Sequence, residues 1–367
     1  MKCNASSRFL QTQAASDRFR VLFMGRDEFS CLVLQELFQA KDVWSELAIV
    51  SQPDTHVGRR GSVLSVSPLK ILGESLGIPI HSIPKIRKEF KSWQLPAPFA
   101  IPSEPEAHPV PNHLLVTASF GRILTGKMLD AFQPAHRLNV HPSLLPAYRG
   151  PAPIQHSIMN DEKETGVCVI QMLKKSEGID AGALWDCSKV DMPNDATYAS
   201  LRDKLGPMGG RLLVSVLRDL LSGTATPLTQ ASATNVSKAT PITARDALVD
   251  FTTMSASQIH ARERAISHQK PLWTHTPDDR SLHLYALSVL DGAQLSNQAL
   301  PDAPARMVFS KKHRLLIVRC AGDTLLGVGR VKSDGKKEIG AQEWWNGAQG
   351  TFCVGEGKKE VCLGGHA

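Results

Sequence analysis

Within residues 20–118, short apolar runs alternate with segments of helical periodicity, and that alternation leaves the chain few folds to choose from. Arg20-Val-Leu-Phe-Met-Gly25 is a short apolar run closed by a glycine. Phe29, Leu32, Val33, Leu37 and Phe38 follow at the spacing of a buried helix face. Glu46-Leu-Ala-Ile-Val50 is the next strand, then a polar loop runs from Pro53 to Ser67, and Pro68–Leu76 is again helical in pattern. Ile78-Pro-Ile80 and Leu114-Leu-Val-Thr-Ala118 supply further strands. Strands separated by helices line up in parallel, with helices on both faces. The expected class is therefore α/β, with a doubly wound, mostly parallel, Rossmann-like sheet. Ligands of such sheets bind beyond the carboxyl ends of the strands. No G-x-G-x-x-G follows the first strand, so a dinucleotide is not indicated.

The pattern changes along the chain. Six prolines lie between Gln94 and Asn112, a density that predicts an exposed loop or insertion. Leu201, Leu205, Leu212, Val216 and Leu220 predict a long helix over Thr197–Leu221. Ser222–Lys238 is rich in Ser, Thr and Ala without apolar periodicity, the composition of a linker. After a helix over Ser255–Ile266, short strands are expected at His283–Leu290, Ala305–Phe309, Arg314–Arg319 and Leu325–Val331. Serial short strands predict a small antiparallel β-barrel of OB type. With 367 residues, two domains are expected. The division is a leader over 1–18, a catalytic domain over 19–221, a linker over 222–238 and a β-barrel domain over 239–367.

Seven cysteines are scattered without C-x-x-C pairs or zinc spacing, which predicts free thiols, no disulfide framework and no metal site. No apolar run is long enough for a membrane span. Residues 1–18 carry Lys2, Arg8 and Arg18 among Ser and Thr, with Asp17 as the only acid. That composition suits a transit peptide to the mitochondrial matrix. A net charge of +7 suits both a polyanionic partner and an ordinary basic protein.

Chemistry concentrates where an apolar run meets four prolines, in Leu138-Asn-Val-His-Pro-Ser-Leu-Leu-Pro146 and the residues up to Gln155. On a strand, Asn139 and His141 share a face. The amide of Asn139 can stabilise an oxyanion, and the imidazole of His141 can move a proton near neutral pH. Asp180, between glycines in Gly178-Ile-Asp-Ala-Gly182, is a carboxylate that can fix the histidine's state. Without a serine or cysteine nucleophile, this set suits direct transfer between two substrates. From spacing alone, a histidine at a strand end is more often a satisfied structural residue than a catalytic one.

Asn139-Val-His-Pro-Ser-Leu-Leu-Pro146 followed by Arg149-Gly-Pro-Ala-Pro-Ile-Gln155 resembles the signature of the folate-dependent formyltransferases. Leu22–Gly25, Ser51-Gln-Pro-Asp54, Gly58-Arg-Arg-Gly61, Ser67-Pro-Leu-Lys70, Gly178–Gly182 and Ala341–Gly347 continue the resemblance in order. It is strongest to the branch acting on methionyl-tRNA. The resemblance implies formyl transfer from 10-formyltetrahydrofolate to the amino group of methionyl-initiator tRNA, by a monomer that needs neither metal nor membrane. It carries the catalytic roles onto Asn139, His141 and Asp180. It places folate against Phe120, Gly121, Arg122, Ile123, Leu124, Ser143, Gly178 and Ile179. For Phe120, Ile123 and Leu124 core packing is the competing role, and for Ser143 shaping of the turn. RNA contact falls to Arg59 and Arg60 in the polar loop, and to Lys311, Lys312 and Arg314 within Arg306–Arg319, which has no acid.

The chain departs from the family at Arg26-Asp-Glu28 and in the proline-rich insertion. Two other readings share the same residues: a formyltransferase of small amines, and an RNA-binding protein on this fold without catalysis.

Overall fold

The structure is a computed structural model that describes residues 18–100, 108–231, 236–295, 299–354 and 360–364, without the side chains of 59, 294, 350, 353 and 354. Two compact units are present. Of the described residues, the first comprises those up to Ile154 with Lys163–Met192 and Ala199–Thr240; the second comprises Gln155–Glu162, Pro193–Tyr198 and those from Pro241 onward.

The first unit is built on a seven-stranded sheet. Strand β1 (Phe19–Met24) is central and almost entirely buried. It pairs in parallel with β2 (Trp44–Ser51) and β6 (His113–Thr117). The order is β5 (Ile80–Ser82), β2, β1, β6, β7 (Arg137–His141), β8 (Glu164–Gln171) and β9 (Leu184–Asp191). The sheet is parallel as far as β7, and β8 and β9 then run antiparallel. The polar loop after β2 folds into a small hairpin, β3 (Thr55–Val57) with β4 (Val63–Ser65).

Helix α1 (Glu28–Gln39) begins where Asp27 caps it, the carboxylate accepting from the Ser30 N–H at 3.2 Å. Phe29, Val33, Leu34 and Leu37 form its buried face. The long helix, Tyr198–Ser222, carries glycines where it crosses its neighbours. A Cβ on Gly209 would lie 2.7 Å from Val140, and one on Gly206 would lie 2.6 Å from Leu32.

Three expectations are corrected in this unit. The proline-rich segment does not simply loop into solvent. Leu95 and Phe99 are 4% and 2% exposed, and Phe99 packs against Phe132 at 5.9 Å between ring centroids. Proline excludes regular hydrogen bonding but does not stop apolar side chains from burying. Residues 101–107 of that segment lie outside the described residues. Cys168 and Cys187, expected as free thiols, are opposite each other in the β8–β9 register and are joined as a disulfide. Their separation of 19 residues is set by a β-hairpin with a long loop, a spacing no sequence motif marks.

The third correction concerns the 222–238 stretch, which is not a free linker. Leu228 exchanges two backbone hydrogen bonds with Leu184, at 2.8 and 2.7 Å, and Lys238 bridges Arg149. These segments form a strap on the first unit, held by backbone pairing that needs no apolar periodicity. Residues 232–235 lie outside the described residues.

In the second unit the antiparallel sheet runs β10 (Trp273–His275), β11 (Ser281–Leu290), β14 (Leu325–Ser333), β13 (Leu315–Arg319), β12 (Arg306–Ser310), β17 (Glu360–Cys362) and β16 (Cys353–Val354). β15 (Ile339–Gly340) pairs with β14. The sheet curls enough for the Gly364 N–H to reach the His275 carbonyl at 2.8 Å. Helix Ala256–Ile266 begins with a capping box between Ser255 and Gln258. The expected 1–18 leader lies outside the described residues except for Arg18.

Candidate active site

Strand β7 ends in the middle of the sheet, where its neighbour changes from parallel β6 to antiparallel β8. Asn139 is half-buried and His141 is 4% exposed. Asp180 lies on the loop between β8 and β9, in the left-handed region at φ 55°, a conformation aspartate adopts more readily than most residues.

The structure brings these three side chains together. Asp180 Oδ1 accepts from Asn139 Nδ2 at 3.4 Å, and Asp180 Oδ2 is 3.9 Å from His141 Nδ1. The Gly150 N–H donates to Asp180 Oδ2 at 3.0 Å. One carboxylate thus spans an amide, an imidazole and a backbone N–H.

Two further groups fix proton positions. Thr117 Oγ1 donates to Asn139 Oδ1 at 2.8 Å, which sets the amide with its Nδ2 toward Asp180 and leaves one N–H without a partner among the described residues. His141 Nε2 lies 3.0 Å from the Tyr148 carbonyl. A carbonyl can only accept, so Nε2 carries the hydrogen, and Nδ1 is the nitrogen able to gain or lose a proton beside Asp180.

The loop after β7 is held from several sides. Ser143 is fully buried and donates to the Ala147 carbonyl at 2.8 Å. Its side chain is committed to the turn. The Tyr148 N–H donates to Ser237 Oγ at 3.0 Å. Gly150, at φ 122°, lies where a Cβ would stand 2.5 Å from the Ala239 carbonyl oxygen. Only glycine fits both that backbone and that neighbour.

The other expected contacts separate by burial. Phe120 and Leu124 pack in the core, Phe120 with its ring 6.1 Å from that of Phe90. Burial of the apolar surface that follows β6 accounts for this. The Phe120 carbonyl accepts from Gln52 Nε2 at 2.9 Å. Gly121, at φ 74°, and Gly178, at φ 117°, offer backbone alone. Arg122 Nη2 reaches the Lys85 carbonyl at 3.4 Å. Ile123 and Ile179 are 53% and 45% exposed, an apolar side chain on each of the loops around the carboxyl edge.

Arg60 is exposed at the tip of the β3–β4 hairpin, at φ 58°; the Arg59 side chain lies outside the described residues. On the β12–β13 turn of the second unit, Lys311, Lys312 and Arg314 are exposed. The absence of acids from that run does not extend to its surroundings. Arg306 pairs with Glu360 and Asp302, and Arg319 with Asp323. Among the described residues, none of Lys311, Lys312 and Arg314 has such a pair.

Thr117, the Tyr148 carbonyl and Gly150 are missing from the sequence-derived set. Thr117 is the one polar residue within the run Leu114–Ala118, but no motif includes it. A second polar tie, also unmarked, joins the ends of β1 and β6: Ser119 Oγ donates to Asp27 Oδ2. Burial, outweighing hydrogen bonds from Ser119 and Ser30, holds the Asp27 carboxyl above its ordinary 3.8.

That shift sets a pH dependence. Between 3.8 and the raised folded value, the folded protein binds the proton more tightly than the unfolded chain, so stability falls as pH rises through that window. Asp27→Asn keeps a capping oxygen and removes the ionisation. We expect its Tm to exceed wild type at pH 7, with the gap closing toward pH 4. A gap that does not change with pH would contradict this account.

Residues 19–217 match the family model described as formyl transferase, and residues 241–349 match that of the formyl transferase C-terminal domain. Sheet, site and second unit thus define a formyl transferase. A methionyl-tRNA formyltransferase of Lactiplantibacillus plantarum is 31% identical over 336 residues, which is 92% of this chain and 98% of that protein. One of Levilactobacillus brevis is 32% identical over the same shares. The chain belongs to the methionyl-tRNA formyltransferase family.

Among solved structures, an N-formyltransferase from Helicobacter canadensis in complex with folinic acid and dTDP-3-aminofucose superposes with a TM-score of 0.55 at 15% identity, covering 84% of this chain and 98% of that one. A sugar 3N-formyl transferase solved with dTDP and 5-N-formyl-THF gives 0.54 at 15% identity, covering 87% and 99%. At that identity the likeness concerns the fold.

Proposed function

We propose that this chain carries the formyl group of 10-formyltetrahydrofolate to the amino group of methionyl-initiator tRNA, acting as a monomer in the mitochondrial matrix. The observation that carries the reading is the Asp180 carboxylate set between the Asn139 amide and the His141 imidazole, in a chain of this family. The composition of residues 1–18, with Lys2, Arg8 and Arg18 against the single acid Asp17, supports the matrix. Among the described residues no helix is long and apolar enough to cross a membrane, and no group of His, Cys, Asp and Glu could hold a metal ion.

The geometry supports the following course of reaction. The methionyl nitrogen attacks the formyl carbon, a C–N bond forms, and the carbonyl oxygen gains negative charge. The remaining N–H of Asn139 stabilises that oxygen. As the intermediate collapses, the C–N bond to folate breaks. The attacking nitrogen loses a proton and the departing folate nitrogen gains one, and His141 Nδ1 is placed to hold it between the two. Exposed Ile123 and Ile179, with the backbones of Gly121 and Gly178, suit the flat, partly apolar folate ring.

Exposed Lys311, Lys312 and Arg314, without an ion pair among the described residues, favour a nucleic-acid substrate over a small amine. Replacing all three by Ala should weaken tRNA binding and lower the slope of log K against log salt by about 2 to 3. An unchanged slope would remove this turn from the RNA surface. The reading as a whole is tested by offering methionyl-tRNA, free methionine and amino sugars with 10-formyltetrahydrofolate. Formylation of the charged tRNA alone is expected; turnover of small amines with none on tRNA would overturn it, and tRNA binding without any transfer would favour a non-catalytic binder.

A further inference from the structure

We infer that Gln230 is a positioning residue that fixes Asp180, and that the strap following the long helix is part of the catalytic apparatus. This inference rests on the catalytic reading proposed above. Gln230 lies in the Ser/Thr/Ala-rich stretch whose composition suggests a linker, yet it is 7% exposed. Its amide is fully committed. Nε2 donates to the Asp180 carbonyl and to the Gly182 carbonyl, each at 2.8 Å. Oε1 accepts from Arg149 twice, from Nε at 3.1 Å and Nη2 at 2.5 Å.

One side chain therefore ties together the two loops that form the site. Arg149 is next to Gly150, whose N–H holds the Asp180 carboxylate, and next to Tyr148, whose carbonyl orients His141. On the other side, Gln230 grips the main chain of Asp180 itself. That grip matters because Asp180 sits at φ 55°, a conformation that costs energy for a residue with a side chain and persists only where neighbours impose it. The strap is anchored on both sides of Gln230, by the Leu184–Leu228 pair and by the Ala239 N–H to the Arg149 carbonyl at 2.8 Å. An amide is the side chain this place requires. It supplies two N–H donors to two carbonyls and an oxygen to a guanidinium, without placing a negative charge beside Asp180.

The test is Gln230→Met, which keeps size and loses every hydrogen bond, alongside Gln230→Glu, which keeps the oxygen for Arg149 but loses the donors. Both are measured in the full chain. Amide exchange over residues 178–183 should accelerate about tenfold in Gln230→Met, while the β1 and β6 amides keep their protection. The kcat for formyl transfer should fall about 10- to 100-fold with little change in the KM for tRNA. Gln230→Glu should resemble Gln230→Met in kcat, because its lost donors are those that hold Asp180. In an Asp180→Ala background, Gln230→Met should cause almost no further loss of kcat, since the two act through the same group.

Unchanged exchange over 178–183 would overturn the proposal, as would a loss of kcat that multiplies undiminished in the Asp180→Ala background. General loosening of β1 and β6 in both variants would also overturn it, by showing a purely structural role. If the wild-type chain transfers no formyl group, the proposed function fails. The exchange measurement still decides whether Gln230 holds the Asp180 loop.

Discussion

Asn139→Ala should lower kcat by about 10²- to 10³-fold, the loss seen when one oxyanion donor is removed, with KM for both substrates nearly unchanged. The reason lies in the hydrogen bonding of the amide. Thr117 occupies Oδ1 and Asp180 takes one N–H, so the other N–H is directed and needs no reorganisation as the oxyanion forms. Asn139→Asp is the sharper control, because it retains an acceptor for Thr117 while placing a carboxylate against that of Asp180. It should be at least as inactive as Asn139→Ala. A folded Asn139→Ala protein with wild-type kcat would remove the oxyanion role from this residue.

Phe99→Ala should lower stability by about 3–5 kcal/mol, as for a fully buried aromatic residue. Phe99 is 2% exposed and contacts both Phe132 and His113, the latter with ring centroids 5.0 Å apart. His113 begins β6, so the proline-rich segment is anchored onto a central strand of the catalytic sheet. The measurement is the midpoint and slope of denaturant unfolding. A loss below about 1 kcal/mol, typical of surface substitutions, would show that this segment contributes little to the core.

The parallel sheet was legible because its strands are buried on both faces and read as continuous apolar runs, Val21–Met24 and Leu114–Val116 among them. The pairing of Asn139 with His141 followed from the two-residue period of a strand. Asp180 joined them through the resemblance and its flanking glycines. What escaped was mostly long-range hydrogen bonding of unremarkable residues. Thr117 and Gln230 sit in no motif, and their partners lie 22 and 50 residues away. Burial decided other positions: Phe120 and Leu124 look alike as pocket lining or core, and the structure places them in the core. The strap was hidden because backbone pairing imposes no side-chain pattern, so a Ser/Thr/Ala-rich segment reads as a linker even when anchored on both sides of a buried amide. The disulfide was hidden by the hairpin loop that separates its cysteines.

The most direct test of the account is the chemical state of methionine recovered from charged initiator tRNA after incubation with this protein and 10-formyltetrahydrofolate, read by mass spectrometry alongside His141→Ala. Formylmethionine is expected with the wild-type chain, and a rate lower by about 10²- to 10⁴-fold with His141→Ala at similar tRNA affinity. Unmodified methionine with folded, tRNA-binding wild-type protein, or equal rates for the two, would contradict it.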